Sequence, residues 1–185
     1  MDSMRLKTTT PKRKLSPTAD AFFRIQRGLC GYVSYLAACD MNQAFSEYVL
    51  YEPILRILTA RKFIVECEYE CPGIKQPKTG DKKRLDFYAR KRDLKFAIEV
   101  KWVKNSKPSL SRDTAKLRAF LTSIPNSRAF ICVFGRRSFV EPLALAPLRD
   151  GRFVELGKAI YADFRRTRYG CRVFELKLGG RKGKK

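Results

Sequence analysis

Residues 84–103 constrain the fold more tightly than any other stretch of the chain. RLDFYAR (84–90) and LKFAIEVKWV (94–103) are apolar runs on either side of the polar triplet Lys91-Arg92-Asp93. That pattern predicts two strands joined as an antiparallel hairpin. Strand side chains alternate between faces, so Glu99 and Lys101 share one face. Ile98, Val100 and Trp102 take the other, which is expected to be core. An acid and a base thus stand side by side on an otherwise apolar strand. Asp86, between Leu85 and Phe87, falls near the end of the partner strand opposite Glu99.

The flanking sequence completes an α/β pattern. Residues 21–39 (AFFRIQRGLCGYVSYLAAC) read as one helix or two, broken near Gly28 and Gly31. A longer helix is expected at about 42–61, capped by Asp40 or Asn42, with Pro53 marking a kink or the first turn of a second helical piece. FIVECEY (63–69) reads as a strand, and Pro72 to Lys83 as a loop. Ser111 is expected to cap a helix running to about Ser123. RAFICVFG (128–135) is the most apolar strand and belongs in the sheet centre. A short helix is expected within 139–149, and at least one more strand at RVFELKL (172–178). The expected class is α/β, a central mixed β-sheet flanked by helices. The expected division is a basic flexible arm at 1–20, one domain at 21–180 and a basic tail at 181–185.

Charge narrows the partners. Forty Lys and Arg against eighteen Asp and Glu give +22 at pH 7 over 185 residues. The arm holds +3 and the tail +4, which leaves +15 on the body. A folded domain with that excess calls for a polyanion, and nucleic acid is the default. A membrane partner is not expected: no apolar run approaches the ~18 residues of a spanning helix, and no basic amphipathic helix with an aromatic face is evident. The basic N-terminus lacks a following apolar region, so no secretory signal is expected. A cytoplasmic location is expected, with a nuclear one left open by PKRK at 11–14.

The chain contains six Cys and no His. Without His, Ser-His-Asp and Cys-His catalysis and paired-His ribonuclease chemistry cannot be assembled. None of the Cys forms a C-x2-C pair, so structural zinc is not expected. Cys67 and Cys132, in apolar runs, are expected to be buried and reduced. Remaining chemistry must come from carboxylates, Lys, Tyr or a bound metal. Two carboxylates a few ångströms apart beside a lysine make a hard, oxygen-rich site suited to Mg2+ or Mn2+. Such a site neutralises a phosphodiester and supplies water of lowered pKa, while the lysine holds that water or stabilises phosphoryl charge.

Asp86-x12-Glu99-Val100-Lys101, with its apolar flanks, resembles the motif of the PD-(D/E)XK nuclease superfamily, with Leu85 in place of the motif's leading Pro. Ser46 and Glu47, followed by Tyr51 and Pro53, resemble that family's first core helix. DTAKL (113–117) and RAFICVF resemble its following helix and strand. The resemblance covers about residues 42–135. It implies a restriction-endonuclease-like core, an endonuclease acting on DNA, and products with 5′-phosphate ends. It makes Asp86, Glu99 and Glu47 metal ligands, with Glu52 the alternative to Glu47, and Lys101 the catalytic lysine. A homodimer is possible, since cutting both strands often needs two active sites.

Lys75, Lys78, Lys82, Lys83 and Arg84 form a basic loop just before Asp86, and Lys104 and Lys107 follow the Glu99 strand. These seven are the expected phosphate contacts. Arg136, Arg137, Arg165, Arg166 and Arg168 extend the positive surface. Glu66, Glu68 and Glu70 read as a solvated face, with Glu68 able to line the site. Two other readings fit the charge: a nucleic-acid-binding module that does not cut, and an RNA-associated binding protein.

Overall fold

The computed structural model describes residues 15–41, 46–105, 107–145, 148, 150–164 and 167–179. Helix α1 spans Pro17–Ala38. Pro17 occupies the first turn, where its missing N–H costs nothing, and the Ser16 hydroxyl caps it by accepting the Ala19 N–H at 3.2 Å. The helix therefore begins inside the stretch expected to be a flexible arm; residues 1–14 and the basic tail at 181–185 lie outside the described residues. Neither Gly28 nor Gly31 breaks it. At Gly28 a Cβ would stand 2.6 Å from Ile57 Cδ1, so this glycine serves the close approach of the next helix.

That helix, α2, is Tyr51–Ala60, preceded by a 3-10 turn at Tyr48–Leu50. It is shorter than expected. Pro53 sits in its first turn, where proline is tolerated, and residues 42–45 lie outside the described residues. The strands are β1 Ile64–Glu70, β2 Arg84–Lys91, β3 Leu94–Val103, β4 Ser127–Arg136, β5 Gly151–Glu155, β6 Ile160–Phe164 and β7 Thr167–Leu178. Helix α3 is Ser111–Ser123. Ser111 is its first helical residue rather than its cap, which falls on Leu110. Helix α4 is a single turn, Arg137–Val140, where a helix within 139–149 was expected.

The architecture is α/β, with a seven-stranded mixed sheet flanked by helices. Its order is β1-β2-β3-β4-β7-β5, with β6 also paired to β7. Only β3 and β4 run parallel, connected through α3; the other pairs are antiparallel. β4 lies in the middle, buried along almost its whole length as its composition predicts. One core, with Phe22, Leu29, Phe96, Ile98 and Phe130, fills the space between the sheet, α1 and α2. The other, with Leu85, Leu117, Phe120, Ile131 and Leu176, lies under α3. Cys67 is exposed, contrary to expectation, because β1 is the edge strand and offers little of its length to either core.

On β3 the alternation behaves as the sequence predicts. Phe96, Ile98 and Val100 join the α1/α2 core, while Ala97 and Val103 join the α3 core. Glu99 and Lys101 thus project to the α3 face. On β2 the alternation breaks at Asp86: Phe87 belongs to one core and Leu85 to the other. Pairing with β3 ends at Phe87↔Ile98. On the other side Cys67↔Phe87 and Tyr69↔Leu85 pair, and between them Glu68 takes a left-handed backbone, φ 51°. Such a conformation is costly for a residue with a Cβ and persists where its surroundings impose it.

Candidate active site

The site lies where β2 parts from β3. Asp86, freed from strand pairing, turns its carboxylate to the β3 backbone: Oδ2 accepts the Val100 N–H at 2.6 Å. The single hydroxyl proton of Tyr51, from α2, is shared between the Asp86 carboxylate and Glu68 Oε1, the latter at 3.1 Å. The Tyr51 ring packs on Phe87 with centroids 4.8 Å apart. Burial raises the proton affinity of Asp86 above the usual aspartate value, against the Tyr51 and Val100 hydrogen bonds, which favour the carboxylate. Burial, with the charges of Asp86 and Glu68, raises Tyr51 too, so its hydroxyl remains a donor.

Glu99 is 1% exposed. Its Oε2 accepts Lys116 Nζ at 2.6 Å, and its Oε1 is buried without a hydrogen-bond partner among the described residues. Burial first, then the Asp86 charge, pushes Glu99 up to about 9, with Lys116 pulling the other way. An unpaired buried carboxylate oxygen is uncommon and marks a group arranged for a partner.

Lys101 Nζ stands 3.1 Å from Glu47 Oε1 and 3.8 Å from Asp113 Oδ2. Glu47 Oε1 also accepts the Trp102 N–H at 3.2 Å. Glu47 precedes the 3-10 turn rather than standing within a helix. Burial alone would lower the Lys101 ammonium's proton affinity, but Asp113 and Glu47 raise it above the usual lysine value. Glu52, the alternative to Glu47, is exposed on α2 and ion-paired to Arg56, away from these groups.

Three residues belong to this cluster that sequence reasoning did not assign to it. Asp113 and Lys116, in α3, lie three residues apart and so project together; Lys116 Nζ is 3.7 Å from Asp113 Oδ1 and donates to the Arg84 carbonyl at 2.9 Å. The third is Tyr51. The available signal was DTAKL itself, with its acid and lysine at helical spacing directly after the Glu99 strand.

Glu47, Asp86, Glu99 and Asp113 therefore surround Lys101 and Lys116 at the carboxyl half of β3. Among the described residues no three Asp, Glu or Cys side chains are grouped so as to hold a metal ion alone. The set of Asp86, Glu99 and Glu47 is not gathered as a cage, because Glu47 is taken by Lys101 and the Trp102 amide. Asp86 and Glu99 remain. Mg2+ is ordinarily held by one or two carboxylates, with water and substrate phosphate completing its shell, and the unpartnered Glu99 Oε1 fits such a role.

The basic side chains expected to meet phosphate lie on the surface. Lys75, Lys78, Lys82, Lys83 and Arg84 are exposed, as are Lys104 and Lys107; Lys82 pairs with Glu70 at 2.9 Å. The loop that carries the first four is stapled by Gln76, which donates to the Cys71 and Lys83 carbonyls at 3.2 and 3.0 Å and accepts the Lys83 N–H at 2.7 Å. Gly73, φ 75°, brings it against α3, where a Cβ would meet Ser123 Oγ at 2.2 Å. Trp102 is half-buried against Phe134, ring centroids 5.2 Å apart, as its place in the alternation predicts. Arg168 is exposed, and Arg165 and Arg166 lie outside the described residues. No helix among the described residues is long and apolar enough to cross a membrane. Comparisons with protein-family models, with curated proteins and with solved structures gave no match.

Proposed function

We propose that this chain is a metal-dependent nuclease with a restriction-endonuclease-like core, hydrolysing phosphodiester bonds and acting on DNA as an endonuclease. One observation carries the reading. Asp86, Glu99 and Lys101, picked from sequence spacing, lie where the sheet opens, and the buried Glu99 keeps an oxygen without a partner among the described residues. The preference for DNA and for 5′-phosphate products rests on the motif's resemblance to PD-(D/E)XK nucleases.

Asp86 and Glu99 would hold Mg2+, or Mn2+ in its place. The bound ion would neutralise phosphate charge and lower the pKa of a water. Lys101, held by Glu47 and Asp113, would stabilise charge on the phosphoryl oxygens and orient the attacking water. Water adds to phosphorus, the P–O bond to the leaving nucleoside breaks, and the departing oxygen takes up a proton. Glu47 acts through Lys101. The stapled basic loop and Lys104 and Lys107 hold the strand by its phosphates.

Purified protein with Mg2+ is expected to nick plasmid DNA, and EDTA is expected to stop it. Glu99→Gln and Lys101→Ala should lose cutting and keep DNA binding. A second reading, a nucleic-acid-binding module that does not cut, is favoured by one feature: Lys116 already pairs with Glu99, so the acid has a purely structural partner. Wild-type binding with no cutting in Mg2+ or Mn2+ would decide for the module. Tighter binding to RNA than to DNA in salt-matched competition would favour an RNA-associated protein.

A further inference from the structure

Lys116 is the least explained member of the cluster. Its side chain is 17% exposed, and its ammonium faces three oxygens: Glu99 Oε2 at 2.6 Å, the Arg84 carbonyl at 2.9 Å and Asp113 Oδ1 at 3.7 Å. Two of its three protons are bonded to Glu99 and to the Arg84 carbonyl, and the Asp113 contact is an ion pair longer than a hydrogen bond. This shell of two carboxylates and a carbonyl is all oxygen, the donor type that hard cations take. Lys101 is different: its partners are Glu47 and Asp113, and it leaves Glu99 alone.

A buried carboxylate with no cation beside it is costly, and an ammonium with no carboxylate equally so. Whenever Glu99 is ionised, Lys116 is therefore the cation that offsets its burial before any metal arrives. The same contact sets a competition, because a divalent ion seeking Glu99 meets a group already charged and already bonded there. Resting on the nuclease reading, we propose that Lys116 is a resident counter-cation that competes with the divalent metal for Glu99, so that metal binding and withdrawal of the Lys116 ammonium are one exchange. Lys116 acts through Glu99 and is a positioning residue. Its bond to the Arg84 carbonyl ties the exchange to the end of the basic loop, so metal uptake and the setting of that loop are linked.

The test is Mn2+ affinity, read from the electron-paramagnetic-resonance signal of free Mn2+, for the full-length protein and for Lys116→Gln, Lys116→Met, Lys116→Arg and Glu99→Gln. Linked binding events typically change one another's affinity by about 5–150-fold. Lys116→Gln and Lys116→Met are expected to bind Mn2+ more tightly by a factor in that range, Lys116→Arg to stay near wild type, and Glu99→Gln to lose binding. A merely structural lysine would give weaker binding on removal. Affinity unchanged or weakened in a natively folded Lys116→Gln or Lys116→Met protein overturns the proposal and leaves the nuclease reading standing. No Mn2+ binding by wild type or by either variant overturns both. Should both variants fail to fold, wild-type protein labelled at lysine Cε decides: Mg2+ is expected to shift the Lys116 resonance, assigned through Lys116→Arg, and an unmoved resonance at saturating Mg2+ overturns the exchange.

Discussion

The carboxylate of Asp86 takes the place of a backbone acceptor for Val100. β2 leaves the ladder after Phe87↔Ile98, and Asp86 Oδ2 accepts the Val100 N–H at 2.6 Å. Val100 is buried, so its amide would otherwise be an unpaired donor in the core. Structure and chemistry can be separated at this residue. Asp86→Ala strands the amide and is expected to cost about 1–3 kcal/mol, read as a lower urea midpoint. Asp86→Asn keeps an acceptor and is expected to hold stability within about 1 kcal/mol of wild type. Both should lose plasmid nicking in Mg2+. An Asn variant that cuts at the wild-type rate would remove Asp86 from the chemistry.

Tyr51 supports Asp86 from α2 with its hydroxyl and covers Phe87 with its ring. Tyr51→Phe keeps the ring and deletes the hydroxyl, so packing is retained while the one donor that Asp86 and Glu68 share is lost. Residues that orient metal ligands typically matter by about 10–100-fold in metal affinity or activity. A loss in that range is expected for Mn2+ affinity, with metal-free DNA binding unchanged. Equal Mn2+ affinity in Tyr51→Phe and wild type would show that Asp86 is held without it.

The strands of the site were legible because their constraints are local. Period-two alternation places Glu99 and Lys101 on one face whatever packs there, and the 84–103 hairpin needs only its turn residues. Asp113, Lys116 and Tyr51 were not legible as site members, because their membership depends on where α2 and α3 dock against the sheet. The break of alternation at Asp86 was hidden for the same reason. RLDFYAR reads as a regular strand, yet Leu85 and Phe87 go to opposite cores while Glu68 on the neighbouring strand takes φ 51°. Gly28 looked like a helix breaker and is instead a contact surface for Ile57. Glycine weakens a helix by roughly 1 kcal/mol, which the docking of α2 on α1 offsets.

The basic loop predicts a salt dependence. Each phosphate neutralised contributes about 0.9 to the slope of log K against log salt on duplex DNA. Lys78 and Lys83 are exposed. Changing both to Gln is expected to reduce the slope by about 1.8 and to weaken binding equally for unrelated sequences. Gln76→Ala keeps every charge but removes the staple between Cys71 and Lys83. It should weaken binding and leave the slope near its wild-type value. An unaltered slope in the double variant would place the phosphate contacts elsewhere on the surface.

Glu99 predicts an unusual dependence of stability on pH in the metal-free protein. Its carboxyl is pushed from the ordinary 4.5 up to about 9, by burial and then by the charge of Asp86. The unfolded chain gives up this proton near 4.5, whereas the folded chain keeps it until about 9. Between those values the folded state binds the extra proton, so the contribution of Glu99 to stability falls as pH rises, by at most about 1.4 kcal/mol per pH unit, and is level above the window. Lys101 and Lys116 are raised above their ordinary 10.5. Their stabilisation is fully present below 10.5 and is lost only as pH climbs through the raised values, outside this window. Urea midpoints in EDTA at several pH values from 5.5 to 9, roughly spanning the window set by proton linkage, are expected to fall for wild type and to fall less steeply for Glu99→Gln, which has no proton to lose. The same linkage requires metal binding to expel a proton below about pH 9, so Mn2+ affinity should strengthen with rising pH across that range. Parallel stability curves for wild type and Glu99→Gln, together with a pH-independent Mn2+ affinity, would mean that Glu99 takes up no extra proton on folding.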